Sequence, residues 1–390
     1  MKSIGVPRPM ATAWKTIGRD MTEQSLATAV AQAESFNRAV LDWFSKSGRK
    51  GLPWQQNPSP YRVWISEIML QQTQVQTVIP YYLRFMAQYP DVAALADASV
   101  DQVLHLWTGL GYYARARNLH KAAKQVVQDH GGEFPRDVEA LEALPGIGRS
   151  TAGAIAALSM HIKAPILDGN VKRVLTRYFA IAGFPESSAV KKQLWTVAGS
   201  LLPEREIAAY TQAMMDLGAT LCTRSSPACQ QCPLAADCQA LASDRIAEFP
   251  GKKPKKALPV KAVNMLIVRN RSGHVLLEKR PDSGIWGGLY SLPEQAVNDA
   301  GANTEAGWLA HLETDLQVDS QTLEPMPTIR HSFTHYHLDI TPLLVPEWEL
   351  ETADAAVADS DRWLWYPLDH SVEVGLAAPV KKLLTRLNLD

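Results

Sequence analysis

Four cysteines fall within seventeen residues, spaced Cys222-x6-Cys229-x2-Cys232-x5-Cys238, and they are the only cysteines in the 390-residue chain. Thiols this close either pair as disulfides or hold a metal, because a thiolate is a strong ligand for soft and borderline ions. Two carboxylates suggest a different chemistry. Glu67 lies in VWISEIMLQQTQV beside Trp64, Ile65, Ile68 and Met69. Such neighbours desolvate a carboxyl and raise its pKa until it can act as a general acid near neutral pH. Asp168 opens the turn Asp168-Gly169-Asn170, ahead of a helical stretch, 171–178, that carries Lys172, Arg173 and Arg177.

Twenty residues or so before Asp168 stands Leu144-Pro145-Gly146-Ile147-Gly148. Gly146 and Gly148 are both expected to permit positive φ and a close backbone approach. The helix predicted over 149–160, from Arg149 to Met160, then places unpaired N–H groups just after the turn, where a phosphate is favoured. Each feature also has a plain structural reading. The glycine turn can be a simple helix connection, Asp168 an N-cap, and Glu67 a surface carboxylate.

These residues need elements to carry them. Residues 23–47 read as an amphipathic helix with Ala31, Phe36, Val40 and Phe44 on one face. After the turn-rich Leu52-Pro53-Trp54 and Asn57-Pro58-Ser59-Pro60, a mainly helical segment runs up to an interruption expected at Pro80. Trp64, Ile68 and Val75 are expected to face its core, with Glu67 and Gln71 on the neighbouring stripe. Residues 91–130 repeat the helix-turn pattern, and Tyr112 and Tyr113 directly precede Arg115 and Arg117. Rings of this kind can wedge between bases while arginines meet phosphates; snorkelling arginines on an ordinary helix are the alternative. Residues 20–245 therefore read as all-α. Beyond 260 the pattern becomes strands, with a hairpin around Arg271-Ser272-Gly273, a strand across SFTHYHLDITPLLV, and a last helix over 380–387.

Length allows two or three domains, and 46% apolar with 20% charged residues fits an ordinary globular chain. No stretch reaches a membrane span and residues 1–20 lack the apolar core of a signal peptide, so a cytoplasmic location is expected. The net charge of −1 hides an asymmetry. Residues 1–258 hold 29 Lys+Arg against 21 Asp+Glu, whereas residues 259–390 hold 10 against 19. A basic first part facing polyphosphate, joined through FPGKKPKKALP to an acidic second part, fits that division.

In a reducing compartment the cysteine cluster points to a metal. Its spacing leaves both zinc and an iron–sulfur centre open. The glycine hairpin followed by Asp-Gly-Asn resembles the helix-hairpin-helix DNA glycosylases, and the cysteine spacing resembles the [4Fe-4S] motif of their endonuclease III and MutY branch. VWISEIMLQQTQV, WTGLGYYARARN, LDGNVKRVL and TQAMMDLGA further resemble the MutY-type adenine DNA glycosylases, over residues 25–390 or so. Lyase relatives carry a nucleophilic Lys where this chain has Ser150, and a hydroxyl cannot form the Schiff base that strand cutting needs. Lys163 does not match that position.

The resemblance implies a multidomain protein, with an all-α helix-hairpin-helix glycosylase part and an α+β Nudix-like part. Its boundaries would be 50–163 for a six-helix barrel, 21–49 with 164–248 for the iron–sulfur domain, 249–259 for a basic linker, and 260–390 for the Nudix-like domain. It implies a monomeric, monofunctional enzyme on double-stranded DNA with adenine opposite 8-oxoguanine or G. Glu67 would protonate the departing adenine and Asp168 would stabilise the oxocarbenium-like sugar, with Asn170 and Ser150 at the same centre. Gln72 and Tyr112 would enter the duplex. Leu144, Gly146, Gly148 and Arg149 would hold its backbone, and Trp54, Gln212 and Met215 would line the adenine pocket. Cys222, Cys229, Cys232 and Cys238 would bind [4Fe-4S]. Phe333, Thr334 and His335 match a Phe-Ser-His loop that reads 8-oxoguanine, with Thr in place of Ser. Residues 291–320 contain no Arg or Lys, against what a Nudix hydrolase needs, so the last domain is expected to recognise rather than hydrolyse. An endonuclease III-like lyase on oxidised pyrimidines and a non-catalytic lesion-binding protein are the alternatives; Ser150 opposes the first, the Glu67 and Asp168 pair the second.

Overall fold

The computed structural model describes residues 13–253, 257–270, 272–296, 323–345, 362–369 and 371–387. The chain forms two compact units, residues 1–82 with 125–254 and residues 83–124 with 255–390. In chain order the helices are α1 (Ala13–Ser47), α2 (Pro60–Leu70), α3 (Val75–Gln88), α4 (Val92–Asp97), α5 (Val100–Trp107) and α6 (Ala114–His130). There follow α7 (Val138–Glu142), α8 (Arg149–Met160), α9 (Gly169–Tyr178), α10 (Ser188–Ser200), α11 (Ile207–Asp216) and α12 (Gln239–Ala242).

Local chemistry sets several of these boundaries. Ser59 accepts the Arg62 N–H at 3.2 Å, with Pro60 as the first residue of α2, where its missing N–H costs nothing. Asp91, Ser99 and Asp137 cap α4, α5 and α7 in the same manner. The break after α2 does not fall at Pro80. It falls at Gln71–Gln74, and Pro80 lies inside α3. Gln72 has φ +59°, which no helix accommodates, whereas a proline within the first two turns forfeits one hydrogen bond.

In the first unit α1 packs against α10 and α11, and its buried stripe runs through Ala29, Phe36 and Val40. Ala31 is exposed, contrary to the helical face expected for it, because Ala33 and Ala29 take the inward positions one and two turns before Phe36. Phe36 meets Tyr178 edge to face at 5.0 Å, tying α1 to α9. Alpha2 packs against α8, and α8 against α7 and α11.

The second unit joins α4, α5 and part of α6 to a β domain. Its strands are β1 (Val260–Ile267), β2 (Val275–Lys279), β3 (Tyr290–Ser291), β4 (Glu294–Ala296), β5 (Glu324–Pro325), β6 (Ile329–Ser332), β7 (His337–Leu344) and β8 (Trp363–Tyr366), followed by α13 (Ala378–Leu387). One sheet has the order β4-β1-β7-β5 with β6 also on β7, and the other the order β3-β2-β8. The expected hairpin is therefore only local. Asn270 N–H reaches His274 O at 3.0 Å and Leu276 N–H reaches Val268 O at 2.9 Å, after which β1 and β2 part into different sheets. Arg271 of that turn lies outside the described residues, as do most of 291–320. SFTHYHLDITPLLV is not one strand either. Residues 333–336 form the turn between β6 and β7, so Phe333, Thr334 and His335 sit at a hairpin tip. Helix and β domain hold together through the Tyr113 hydroxyl on Leu376 O, the Lys279–Asp101 ion pair, and Arg117 on Gly287 O.

Candidate active site and metal centre

A cleft of about 1020 Å³ in the first unit collects most of the residues singled out by sequence. Glu67, Ser150, Asp168, Asn170, Trp54, Gln212, Met215 and Gln72 all line it. Packing of α2 on α8 brings Glu67 to Ser150, and Gln71 Nε2 touches Thr151 Oγ1 at 3.5 Å across that contact. Trp64, Ile65, Ile68 and Met69 are all buried around α2.

That surrounding protein strips water from Glu67 and pushes its pKa up to about 8, with the negative charge of Asp168 as a second, smaller cause. The influence runs one way, since a protonated Glu67 carries no charge to act back on Asp168. At neutral pH Glu67 thus holds its proton and can donate it.

Asp168 is the N-cap of α9, as the plain reading has it, and its Oδ1 accepts the Val171 N–H at 2.8 Å. Its second oxygen accepts from Asn170 Nδ2 at 2.9 Å. Burial raises its pKa above the ordinary carboxylate value, while the Val171 and Asn170 donors and the Arg173 charge pull the other way. The cap and the Asn170 contact thus use different oxygens of the same carboxyl group. Asn170 is fixed in turn by Arg173 Nη2, 2.8 Å from its Oδ1. The same guanidinium donates to Gly218 O and Cys222 O, both at 2.6 Å. Arg173 thereby connects the Asp168 turn to the start of the cysteine loop, a role its helical position alone did not announce.

Two glycines let these parts meet. A Cβ on Gly153 would collide with Pro165 O, so its absence lets the 164–167 segment lie on α8 and deliver Asp168. A Cβ on Gly218 would come within 2.8 Å of the Asn170 backbone. Gly218 lies in a five-residue π-helical turn, Leu217–Leu221, that continues α11 toward Cys222. Leu167 N–H donates to Ser150 Oγ at 3.0 Å, so the hydroxyl is held as part of this frame.

The hairpin between α7 and α8 departs from expectation in detail. Gly146 has φ +77°, but Gly148 is extended at φ −92° and serves as the N-cap of α8, with no side-chain cap bond. Open space surrounds the Gly148 Cβ position, which leaves room for an outside molecule to approach the free N–H groups. Leu144 is 2% exposed, so its side chain belongs to the core and only its backbone is available to a ligand. Arg149 is exposed and stacks on the Trp195 ring at 4.2 Å.

Gln72 and Tyr112 are both exposed and both adopt positive φ, +59° and +51°. Non-glycine residues in this region carry strain of about 1–3 kcal/mol and cluster at functional sites. The arginines after Tyr112 do not stand free for phosphate. Arg115 donates to Gly111 O at 3.1 Å and stacks on Trp107 and Tyr112, and Arg117 is turned to Gly287 O.

Cys222, Cys229, Cys232 and Cys238 line one small pocket with Val174, Leu217 and other apolar side chains. Among the described residues no group of three His, Cys, Asp or Glu stands close enough to hold a single ion. Four thiols around an apolar hollow instead suit a polynuclear centre. Burial and mutual repulsion push Cys232 up to about 11 and raise Cys238, so the set accepts deprotonation only with a cationic centre between them. Arg177 Nη1 donates to Cys222 Sγ at 3.3 Å and fixes the loop through Thr223 O and Arg224 O.

In the β domain, Phe333 lies 4.6 Å from His331, 4.8 Å from Tyr336 and 5.4 Å from Trp286, ring centre to ring centre. His335 and Thr334 are exposed beside it. The hairpin tip thus presents an aromatic platform with polar groups at its edge.

Residues 65–199 match the HhH-GPD superfamily base excision DNA repair protein family, residues 222–238 the iron–sulfur binding domain of endonuclease III, and residues 264–386 the NUDIX domain. The adenine DNA glycosylase of Buchnera aphidicola (subsp. Acyrthosiphon pisum, strain APS) is 38% identical over 349 residues, 90% of this chain and 96% of the relative. The adenine DNA glycosylase of Rattus norvegicus is 34% identical over 365 residues, 80% of this chain and 70% of the relative. The human one is 33% identical over 405 residues, 89% and 73%. The chain carries an iron–sulfur cluster of the [4Fe-4S] type, and the matched segment contains all four cysteines. Among the described residues, no helix is long and apolar enough to cross a membrane.

Proposed function

The chain belongs to the adenine DNA glycosylase family, and on that premise we propose that it is a monofunctional base excision repair enzyme that removes adenine mispaired with 8-oxoguanine or G. The observation that carries the mechanism is the cleft that Glu67 and Asp168 line together, where burial pushes the Glu67 pKa up to about 8. Glu67 gives its proton to the departing base, which turns a poor anionic leaving group into a neutral one. Asp168, ionised and oriented by Val171 N–H and Asn170, stabilises the positive charge that develops on the sugar. Water completes hydrolysis. Ser150, tied to Leu167 N–H, offers no amine for a Schiff base, which supports base release without strand cutting.

Trp54, Gln212 and Met215 form the adenine pocket in this reading, and Gln72 and Tyr112 enter the duplex as the base leaves the stack. Gly146, Gly148, Arg149 and the uncapped N-terminus of α8 receive the phosphate backbone, to which Leu144 contributes only main chain. Phe333, Thr334 and His335 read the base opposite. The protein acts as a monomer in the cytoplasm. Cys222, Cys229, Cys232 and Cys238 would hold the cluster, and a loop fixed in that way would brace, through Gly218 O, Cys222 O and Arg173, the turn that holds Asp168.

Single-turnover incubation with duplexes carrying A opposite 8-oxoguanine, A opposite G, or thymine glycol tests this reading, each followed with and without alkali. Adenine release that yields strand breaks only after alkali is expected. No release from either adenine duplex overturns it; breaks on thymine glycol without alkali would favour the lyase alternative.

A further inference from the structure

Asp216, at the end of α11, is fully buried, and its carboxylate has four donors around it. Arg49 supplies three: Nε at 2.8 Å and Nη2 at 2.6 Å to Oδ1, and its own backbone N–H at 2.7 Å to Oδ2. The fourth is Gln212 Nε2, 2.9 Å from Oδ1. Gln212 is itself 9% exposed, and both it and Arg49 line the cleft that holds Glu67 and Asp168.

A carboxylate paired with a guanidinium can only accept. A side-chain amide packed against it must therefore offer its NH2 group, and the carbonyl oxygen at the other end of the amide must turn away. Among the described residues Gln212 Oε1 has no protein partner. An unconstrained glutamine presents either end to a ligand, and so cannot tell a hydrogen-bond donor from an acceptor. A glutamine locked by Asp216 can.

We propose that Asp216 is a positioning residue for base selection: by holding Gln212 Nε2 it fixes Oε1 as an acceptor in the cleft, matched to the exocyclic 6-amino group of adenine and mismatched to a 6-oxo purine. This rests on the reading of the cleft as an adenine pocket. The Arg49 contacts serve the same end, since they fix the carboxylate from the opposite side, and Gln55 Nε2 holds the Arg49 carbonyl at 2.9 Å. Facing a 6-oxo group, the fixed Oε1 would place two acceptors together at a largely buried amide, a mismatch that costs more than a lost contact in solvent.

A double-mutant cycle reads this directly. Single-turnover base release is measured for adenine and for hypoxanthine, each opposite 8-oxoguanine, in the parent holoenzyme, Asp216→Ala, Gln212→Met and the double variant, with the visible absorbance of the cluster as the check on folding. The adenine-to-hypoxanthine rate ratio is expected to fall about tenfold or more in each single variant, and no further in the double one. A ratio unchanged in Asp216→Ala, with both rates falling in proportion, would show a merely structural residue and overturn the proposal. So would ratio losses that multiply in the double variant, because they would mean that Asp216 does not act through Gln212. Should Asp216→Ala fail to fold, Asp216→Leu takes its place in the cycle, since it keeps the shape but has no oxygen to accept from Gln212 Nε2. A parent protein that releases no adenine overturns the proposed function instead, a result distinct from either failure of the cycle.

Discussion

Glu67 and Asp168 stand about a hundred residues apart in the chain yet line one cleft, where the charge on Asp168 helps keep the proton on Glu67. Two groups of one chemical type are separated in role by surroundings. Glu67 has apolar neighbours and, among the described residues, no donor to stabilise an anion, while Asp168 has Val171 N–H and Asn170. Burial raises both, but only Asp168 has hydrogen bonds that oppose the rise.

The pH profile of base release follows from this pair. Glu67 must be protonated, so the rate constant should be level below neutrality and fall tenfold per unit once pH passes about 8. Asp168 must be ionised, and its raised pKa places the acid limb above the pH at which an ordinary aspartate titrates. Single-turnover rates from pH 4 to 10 measure both limbs. Glu67→Gln should abolish turnover while leaving lesion binding largely intact, and equal loss of both would count against its acid role.

Stability should respond in the same sense. The folded pKa of Glu67 is raised, so the stability linked to its proton is fully present below the unfolded value of 4.5 and lost as pH rises through about 8. Glu67→Gln has no charge to bury. Urea midpoints should match the parent near pH 4 and exceed it at pH 9, by an amount on the order of a few kcal/mol. Equal differences at both pH values would remove the buried acid as the cause.

Gly218→Ala tests the close approach of the π-helical turn to Asn170. The added Cβ must displace the Asn170 backbone, so a loss of about 1–3 kcal/mol in stability is expected, and with it a fall in base release larger than the fall in DNA affinity. Gly199→Ala, where the Cβ position is open, is the control and should change neither.

Phe333→Ala combined with His335→Ala removes the tip of the β6–β7 hairpin. Preference for A opposite 8-oxoguanine over A opposite G should narrow, while adenine release from the A·G duplex changes little. An unchanged ratio would take the recognition role away from this loop.

Much of the site was legible in sequence because it depends on short-range chemistry. LPGIG, the Asp-Gly-Asn turn and the apolar company of Glu67 each lie within one or two helical turns, and all appear in the fold as elements of the expected kind. Reading failed where two solutions share one local pattern. Gly146 and Gly148 look alike in sequence, but only Gly146 needs positive φ. Ser332 to Val345 alternates like one strand, yet Phe333 and Tyr336 bend it into a turn, joined by the Phe333 N–H to Tyr336 O bond of 2.9 Å. Ala31 and Pro80 depart from the expected pattern for the same reason, since helical phase and tolerance of one lost bond are settled by packing partners.

By itself the sequence determined which side chains are available for the proposed chemistry: an acid in an apolar helix, a carboxylate at a helix cap, a serine where lyase relatives carry an amine, and four thiols in one short segment. Tertiary structure alone decided how those groups are held. Arg173 meets Asn170, Gly218 and Cys222, and Asp216 meets Arg49 across 167 positions of chain. A buried hydrogen bond between distant segments leaves no periodic trace, because it needs one donor and one acceptor brought together by the whole fold. Residues that set orientation rather than supply reactivity therefore became visible only once the helices were packed.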